Sequence, residues 1–226
     1  MSRMFVPLLA ALLYATGVAP AQATLLSMDD LVFGAGSITY DEATNLEWLD
    51  VTASVQRSYD DMVGNDGSNE FLPGGDFEGW RYATTDEWTE FLSHAGIAPL
   101  PFSNSSNPTG SVEALISLVG ATLTEQFRVY TLGILGDTAR LCSSPLTNCH
   151  RWGELSLVST LPGGGVFDRE RAGLSGAFPD RAAQDDVGHW LVRVSNTTPV
   201  SAPGTLALLG TGLAGLSVMR RRRRRD

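Results

Sequence analysis

Between residues 24 and 198 the apolar positions change period several times, and each change marks an element. Ile38 and Tyr40 alternate with polar neighbours, residues 41–45 are turn-rich, and Leu46-Glu-Trp48-Leu-Asp50 alternates again, which predicts a hairpin over 37–50. Ser58 followed by Asp61 three residues on reads as a capping box that opens a short helix over 59–63, stopped by the glycines of 64–68. Residues 71–79 are a Gly/Pro/Asp loop. Thr84 with Glu87 repeats the capping signature, and Trp88, Phe91 and Leu92 recur at helical spacing up to Gly96. Residues 99–109 read as a surface loop, and Leu115, Ile116 and Val119 predict the inner face of a third helix over 112–119.

The second half has the period of strands: 127–131, 152–158 and 188–194, with glycine-rich connections at 163–165 and 173–176. A hairpin, three helices and then strands is an α+β order, not an alternating βαβ one. No composition break divides 24–198, so one domain is expected. Trp48, Trp80 and Trp190 fall where a core would need them, and Arg81 is expected to pair with a carboxylate.

Both ends of the chain have a different pattern. Residues 1–23 combine Arg3, an apolar run over 5–15 and Ala21-Gln-Ala23, which predicts a secretory signal cleaved between Ala23 and Thr24. Residues 199–226 form a second signal: Pro203, an uncharged apolar segment over 204–219, then six arginines, 220–225. Hydrocarbon accepts such a segment as a transmembrane helix, and six guanidinium groups resist transfer, leaving the domain outside. A buried core helix followed by a phosphate-binding basic patch is the other reading of the tail.

The stretch from Val200-Ser-Ala-Pro203 through Leu216, with the arginine run behind it, resembles the PEP-CTERM sorting signal. That resemblance implies recognition by an exosortase-type membrane protease at Ser201-Ala202-Pro203. It also implies an inner-membrane anchor before sorting, then the cell surface or extracellular matrix, often beside exopolysaccharide and biofilm. Pro203 alone matches the family's Pro-Glu-Pro, so a retained membrane anchor stays open as the alternative.

Charge narrows the partners of the middle. Setting aside Arg3 and the tail, 9 of the 16 basic side chains remain against 24 of the 25 acidic ones, a balance of −15, and lysine is absent. That excess argues against nucleic acid and anionic membrane surfaces. Cys142 and Cys149 are expected to close a small disulfide loop in an exported chain, worth about 2–3 kcal/mol. A thiolate–His150 metal site is the less favoured reading, because an oxidising compartment opposes it.

A second resemblance joins Leu46-Glu-Trp48-Leu-Asp50, Ser58-Tyr-Asp60, Gly79-Trp-Arg-Tyr-Ala-Thr84 and the closing Trp190-Leu-Val-Arg193. Together they resemble the lectin-like C-terminal domain of bacterial collagen-like adhesins. This implies a C-type-lectin-like fold with paired N- and C-terminal strands, two or three short helices and long loops that carry the ligand face. The loops would be 99–111, 132–150 and 160–188, with Phe167 and Phe178 as candidate sugar-stacking aromatics. Asp180, Asp185 and Asp186 offer hard oxygen ligands, but the calcium triplets of sugar-binding C-type lectins are missing, so no cofactor is expected and calcium is a minor alternative.

Enzyme motifs are thin. His94, His150 and His189 sit in no metalloprotease pattern, residues 173–177 miss the nucleophile elbow at their last position, and residues 163–165 lack the Lys-Ser/Thr of a phosphate loop. The expectation is a surface or matrix protein with a lectin-like, polysaccharide-binding domain and no catalysis. A self-associating structural coat protein is the alternative, and an extracellular hydrolase the more remote one.

Overall fold

The computed structural model describes residues 24–65, 67–98, 100–101, 110–139, 148–158 and 169–196. The described elements run β1 (Leu25–Asp30), β2 (Gly34–Asp41), β3 (Leu46–Leu49), a 3-10 turn (Val51–Ser54), α1 (Tyr59–Val63), β4 (Arg81–Tyr82), α2 (Thr85–His94), β5 (Leu100–Pro101), α3 (Ser111–Val119), β6 (Leu123–Glu125), β7 (Arg128–Thr138), β8 (Cys149–Val158), β9 (Arg169–Pro179), β10 (Gly188–His189) and β11 (Leu191–Val194). By packing, the chain divides after Arg193, and residues 194–196 are the described part of the second unit.

The strands build two sheets. The first has the order β1-β2-β3-β11-β4: the last strand lies between β3 and β4, while the N-terminal strand β1 pairs with β2 at the sheet edge and not with β11. The second has the order β10-β7-β8-β9-β5, with β6 beside β7. Its centre, β7-β8-β9, is antiparallel, while β10 and β5 join its edges in parallel. Most described residues are in or between strands, and the helices are short, which is an α+β composition dominated by sheet.

Three indoles organise the core. Trp190 meets Trp48 and Trp88 edge-on, and Trp48 stacks on Phe91 with centroids 4.2 Å apart. The apolar stripe of α3, Val112, Leu115, Ile116 and Val119, closes the same cluster. The indoles come this close to β7 and β8 because those strands are bare there: a Cβ on Gly133 would lie 2.7 Å from Trp190, and one on Gly153 2.6 Å from Trp88.

Caps fix the helices. The Ser58/Asp61 and Thr84/Glu87 capping boxes both form, and Gly64 ends α1 in the left-handed conformation. Asp137, carried on an irregular stretch of β7, also accepts from the Thr85 amide. Helix α3 begins at Gly110, which has no side chain to cap it, and Glu170 of β9 accepts from the Gly110 and Val112 amides instead.

Several expectations are corrected. Strand β1 was not expected. Residues 173–176 are the middle of β9, not a connection, because β8 supplies a partner for nearly every residue of that stretch. β7 runs to Thr138 and β8 begins at Cys149, so the expected loops 132–150 and 160–188 give up much of their length to strand. The signal segment 1–23 and the tail 199–226 lie outside the described residues. No described helix is long and apolar enough to cross a membrane.

Candidate functional site

The second sheet has two chemically different faces. Alternate residues of a strand point to opposite sides, and residues paired across strands share a side. One side carries Leu135, Leu155 and Ala172 into the tryptophan core, and Glu170 onto α3. The other side is read from the register in rows: Ile134–Trp152, Leu132–Glu154–Gly173, Tyr130–Ser156–Arg171 and Arg128–Val158. Tyr130, Trp152, Glu154 and Arg171 are half-buried and Arg128 is exposed, whereas Leu132, Ile134 and Ser156 are buried. Helices α2 and α3 pack on the core side, leaving the lower rows of the outer side without a described helix.

At the upper end this face meets a polar aromatic cluster. The Tyr59 ring of α1 stacks on His150 at 3.5 Å and on Tyr82 at 4.7 Å. His150 Nδ1 lies 2.7 Å from Asp180 Oδ1, and both side chains are buried. The Asp60 amide donates to the Asp180 carbonyl at 3.0 Å, and Gln56 to Gln184 at 2.9 Å, which ties α1 to the 180–184 turn. Burial, then the carboxylates of Asp180 and Asp60, raises the Tyr59 phenol above its ordinary range.

His189 anchors the same cluster from below. Its Nε2 is 3.0 Å from the Arg57 carbonyl, an acceptor, so Nε2 carries the proton and Nδ1 accepts from the Tyr82 hydroxyl at 2.7 Å. Burial pushes His189 down to about 4, so it is neutral at neutral pH. Burial also raises Tyr82 well above the usual phenol range. A third histidine, His94 at the end of α2, bonds the fully buried Asp41 at 2.8 Å, a pairing across 53 residues that no local motif announces.

The residues singled out from sequence scatter across this arrangement. Phe178 is not a loop aromatic: it lies in β9, buried with Leu132, Ile134 and Val187, with no ring face left for a sugar. Asp180 is engaged by His150, Asp185 is exposed and Asp186 half-buried. Among the described residues no group of three or more His, Cys, Asp or Glu is placed to hold a metal ion. Phe167, Cys142, Ala23 and the motif Ser201-Ala202-Pro203 lie outside the described residues, while Thr24 is the first one described. Cys149 is buried, and no described cysteine is free. Sequence reading missed Tyr130 and Trp152 as site residues. Their strands were legible, but the β7–β8 register that aligns them on one face is a tertiary pairing no local motif announces.

The conspicuous aromatic residues were placed as expected. Trp48, Trp80 and Trp190 are buried, and Arg81 forks onto Glu87 with contacts of 2.6 and 2.9 Å. No curated protein and no solved structure matches the chain. Among known families, residues 199–224 match the PEP-CTERM protein-sorting motif. The chain therefore carries the sorting signal of an exosortase substrate, which implies export and membrane-anchored sorting to the surface.

Proposed function

We propose that the domain of this exosortase-sorted protein is a lectin-like binding module for extracellular polysaccharide, with the outer face of the second sheet as its binding surface. The observation that carries this reading is the half-buried pair Tyr130 and Trp152 on an outer face whose neighbours are Glu154, Ser156 and Arg171. Aromatic faces offer stacking to the C–H side of a sugar ring, and the polar groups between them offer hydrogen bonds to its hydroxyls. The Cys142–Cys149 loop belongs to the same reading, as a clamp at the start of β8. Catalysis is not part of it: His150 and Asp180 serve to hold α1 and the 180–184 turn against β8.

The test is retention of the exported protein in gels that contain single polysaccharides. Trp152→Ala and Tyr130→Ala are each expected to weaken retention at least tenfold while thermal unfolding stays cooperative. No retention by any polysaccharide removes the reading.

A second reading, a self-associating coat protein, is favoured by another region. The turn between β1 and β2 exposes Leu31 and Val32, on the edge hairpin of the first sheet, and Leu26 is partly exposed near the other end of β1. Light scattering that grows with concentration in the absence of glycan, and is abolished by Leu31→Asp, would establish it.

A further inference from the structure

We propose that this outer face carries a subsite for a protonated amine at Glu154, and that the ligand is an amine-bearing polysaccharide. The inference rests on the polysaccharide-binding reading above and narrows it. It starts from polar groups that the fold leaves open. Among the described residues the Glu154 carboxylate has no hydrogen-bond or ion-pair partner, and neither the Tyr130 hydroxyl nor the Trp152 indole N–H has one. All three side chains are half-buried. By contrast, Asp41 is held by His94, Glu47 by Arg193, Asp180 by His150, and Glu170 by the first turn of α3.

The register sets these groups in line. Tyr130 pairs with Ser156, and Glu154 and Trp152 lie two and four residues before Ser156 on β8, on the same side of the sheet. Residues two apart on a strand are about 7 Å apart, so positions 130 and 152 are about 14 Å apart with Glu154 midway. A sugar polymer that stacks on both rings must therefore carry an intervening unit past Glu154. Leu132 and Gly173, which complete the row of Glu154, have no polar side-chain group. Within that row the carboxylate alone selects what the passing unit presents.

The cations of the same face do not answer this charge. Arg171, in the adjacent row, has a partner of its own and forms no ion pair with Glu154. Arg128, two rows away, stands across the β6–β7 pair from Glu125. The sequence has no lysine, and a balance of −15 draws cations to the domain and repels acids. A ligand ammonium at Glu154 gains a charge-assisted hydrogen bond, strengthened by partial burial. A neutral hydroxyl gains a weaker bond there, and a ligand carboxylate is repelled. The surface field alone would draw any polycation to any place; the aromatic line through Glu154 confines attachment to a glycan on this face.

Titration calorimetry of the exported protein with chitosan oligosaccharides, beside fully N-acetylated oligosaccharides of the same length, tests the proposal. The amine form is expected to bind about tenfold tighter or more, and the difference should shrink at about 0.5 M salt. Glu154→Gln keeps the shape and should lose that preference, while it still binds the acetylated form and unfolds as cooperatively as the parent. Glu90→Gln removes the same charge from an exposed position on α2, on the core side of the sheet, and should keep the preference. Equal affinity for the two forms, an unaffected Glu154→Gln variant, an equal loss in Glu90→Gln, or tighter binding of polylysine than of the amine oligosaccharide would overturn it. Binding of the acetylated form alone would overturn the amine subsite and leave the broader reading standing; no binding to any glycan would remove both.

Discussion

Two buried positions set the expectations at the residue scale. His189 donates from Nε2 to a carbonyl and accepts at Nδ1 from Tyr82, an arrangement that only the neutral ring satisfies. Its folded pKa, about 4, lies below the ordinary value of 6.5, so the unfolded chain takes up the proton first as pH falls. The stabilisation is complete above about pH 6.5 and is lost as pH drops through 4, a change of about 3 kcal/mol. Relief of repulsion in an acidic domain acts in the opposite direction, so the comparison is with His189→Asn. Denaturant midpoints of the two proteins between pH 7.5 and 4 should converge on acidification; parallel profiles would contradict the assignment. Gly153 is the second position. An alanine methyl there would lie 2.6 Å from Trp88 and 2.8 Å from Trp190, so Gly153→Ala is expected to cost about 1–3 kcal/mol and shift tryptophan emission. Unchanged stability would mean the indoles have room that the packing denies.

The element scale separates what the sequence made legible from what it did not. Helices α1 and α2 could be read because their capping partners, Ser58 with Asp61 and Thr84 with Glu87, are three residues apart. The cap of α3 is Glu170, 58 residues beyond Val112, and no local signature announces it. Strand β9 was hidden for a related reason. Its glycines suggest a connection, and only pairing with β8 makes it a strand that places Ala172 inward and Arg171 outward. The β9 edge of the candidate face was therefore invisible, and the alignment of Tyr130 with Trp152, in strands already expected, depended on the β7–β8 register. Glu170→Gln tests the remote cap. The amide keeps the shape but leaves one oxygen to accept where two accepted before, and a buried nitrogen faces a donor. The expected loss is about 1–2 kcal/mol, with faster hydrogen exchange in the first turn of α3 than in α2. Equal exchange in both helices would show that the cap contributes little.

For the whole molecule, the sorting motif defines the route and the sheets define the cargo. Mass measurement of the exported protein is expected to show loss of residues 1–23 and a C-terminus near Pro203. It should also show a gain of two protons on reduction, from the Cys142–Cys149 bridge. An intact tail would indicate a retained anchor, and no mass change with reductant would rule out the bridge. Arg193 illustrates how this scale depends on the others. Its guanidinium joins Glu47 of β3 at 2.6 Å and Asp30 of β1 at 2.8 Å, and lies over the Trp80 ring at 4.3 Å. The first and last strands of the domain are thereby bonded by side chains as well as through the sheet.

The position of β11 between β3 and β4 sets an order of events in export. The strand that completes the first sheet is the last of the eleven described strands to be synthesised, so β3 and β4 lack their shared neighbour until about residue 194 has been delivered. Ring closure over so long a contour is slow. Until then the first sheet is two unjoined parts, β1-β2-β3 and the short β4, while the β7-β8-β9 ladder already has all its partners.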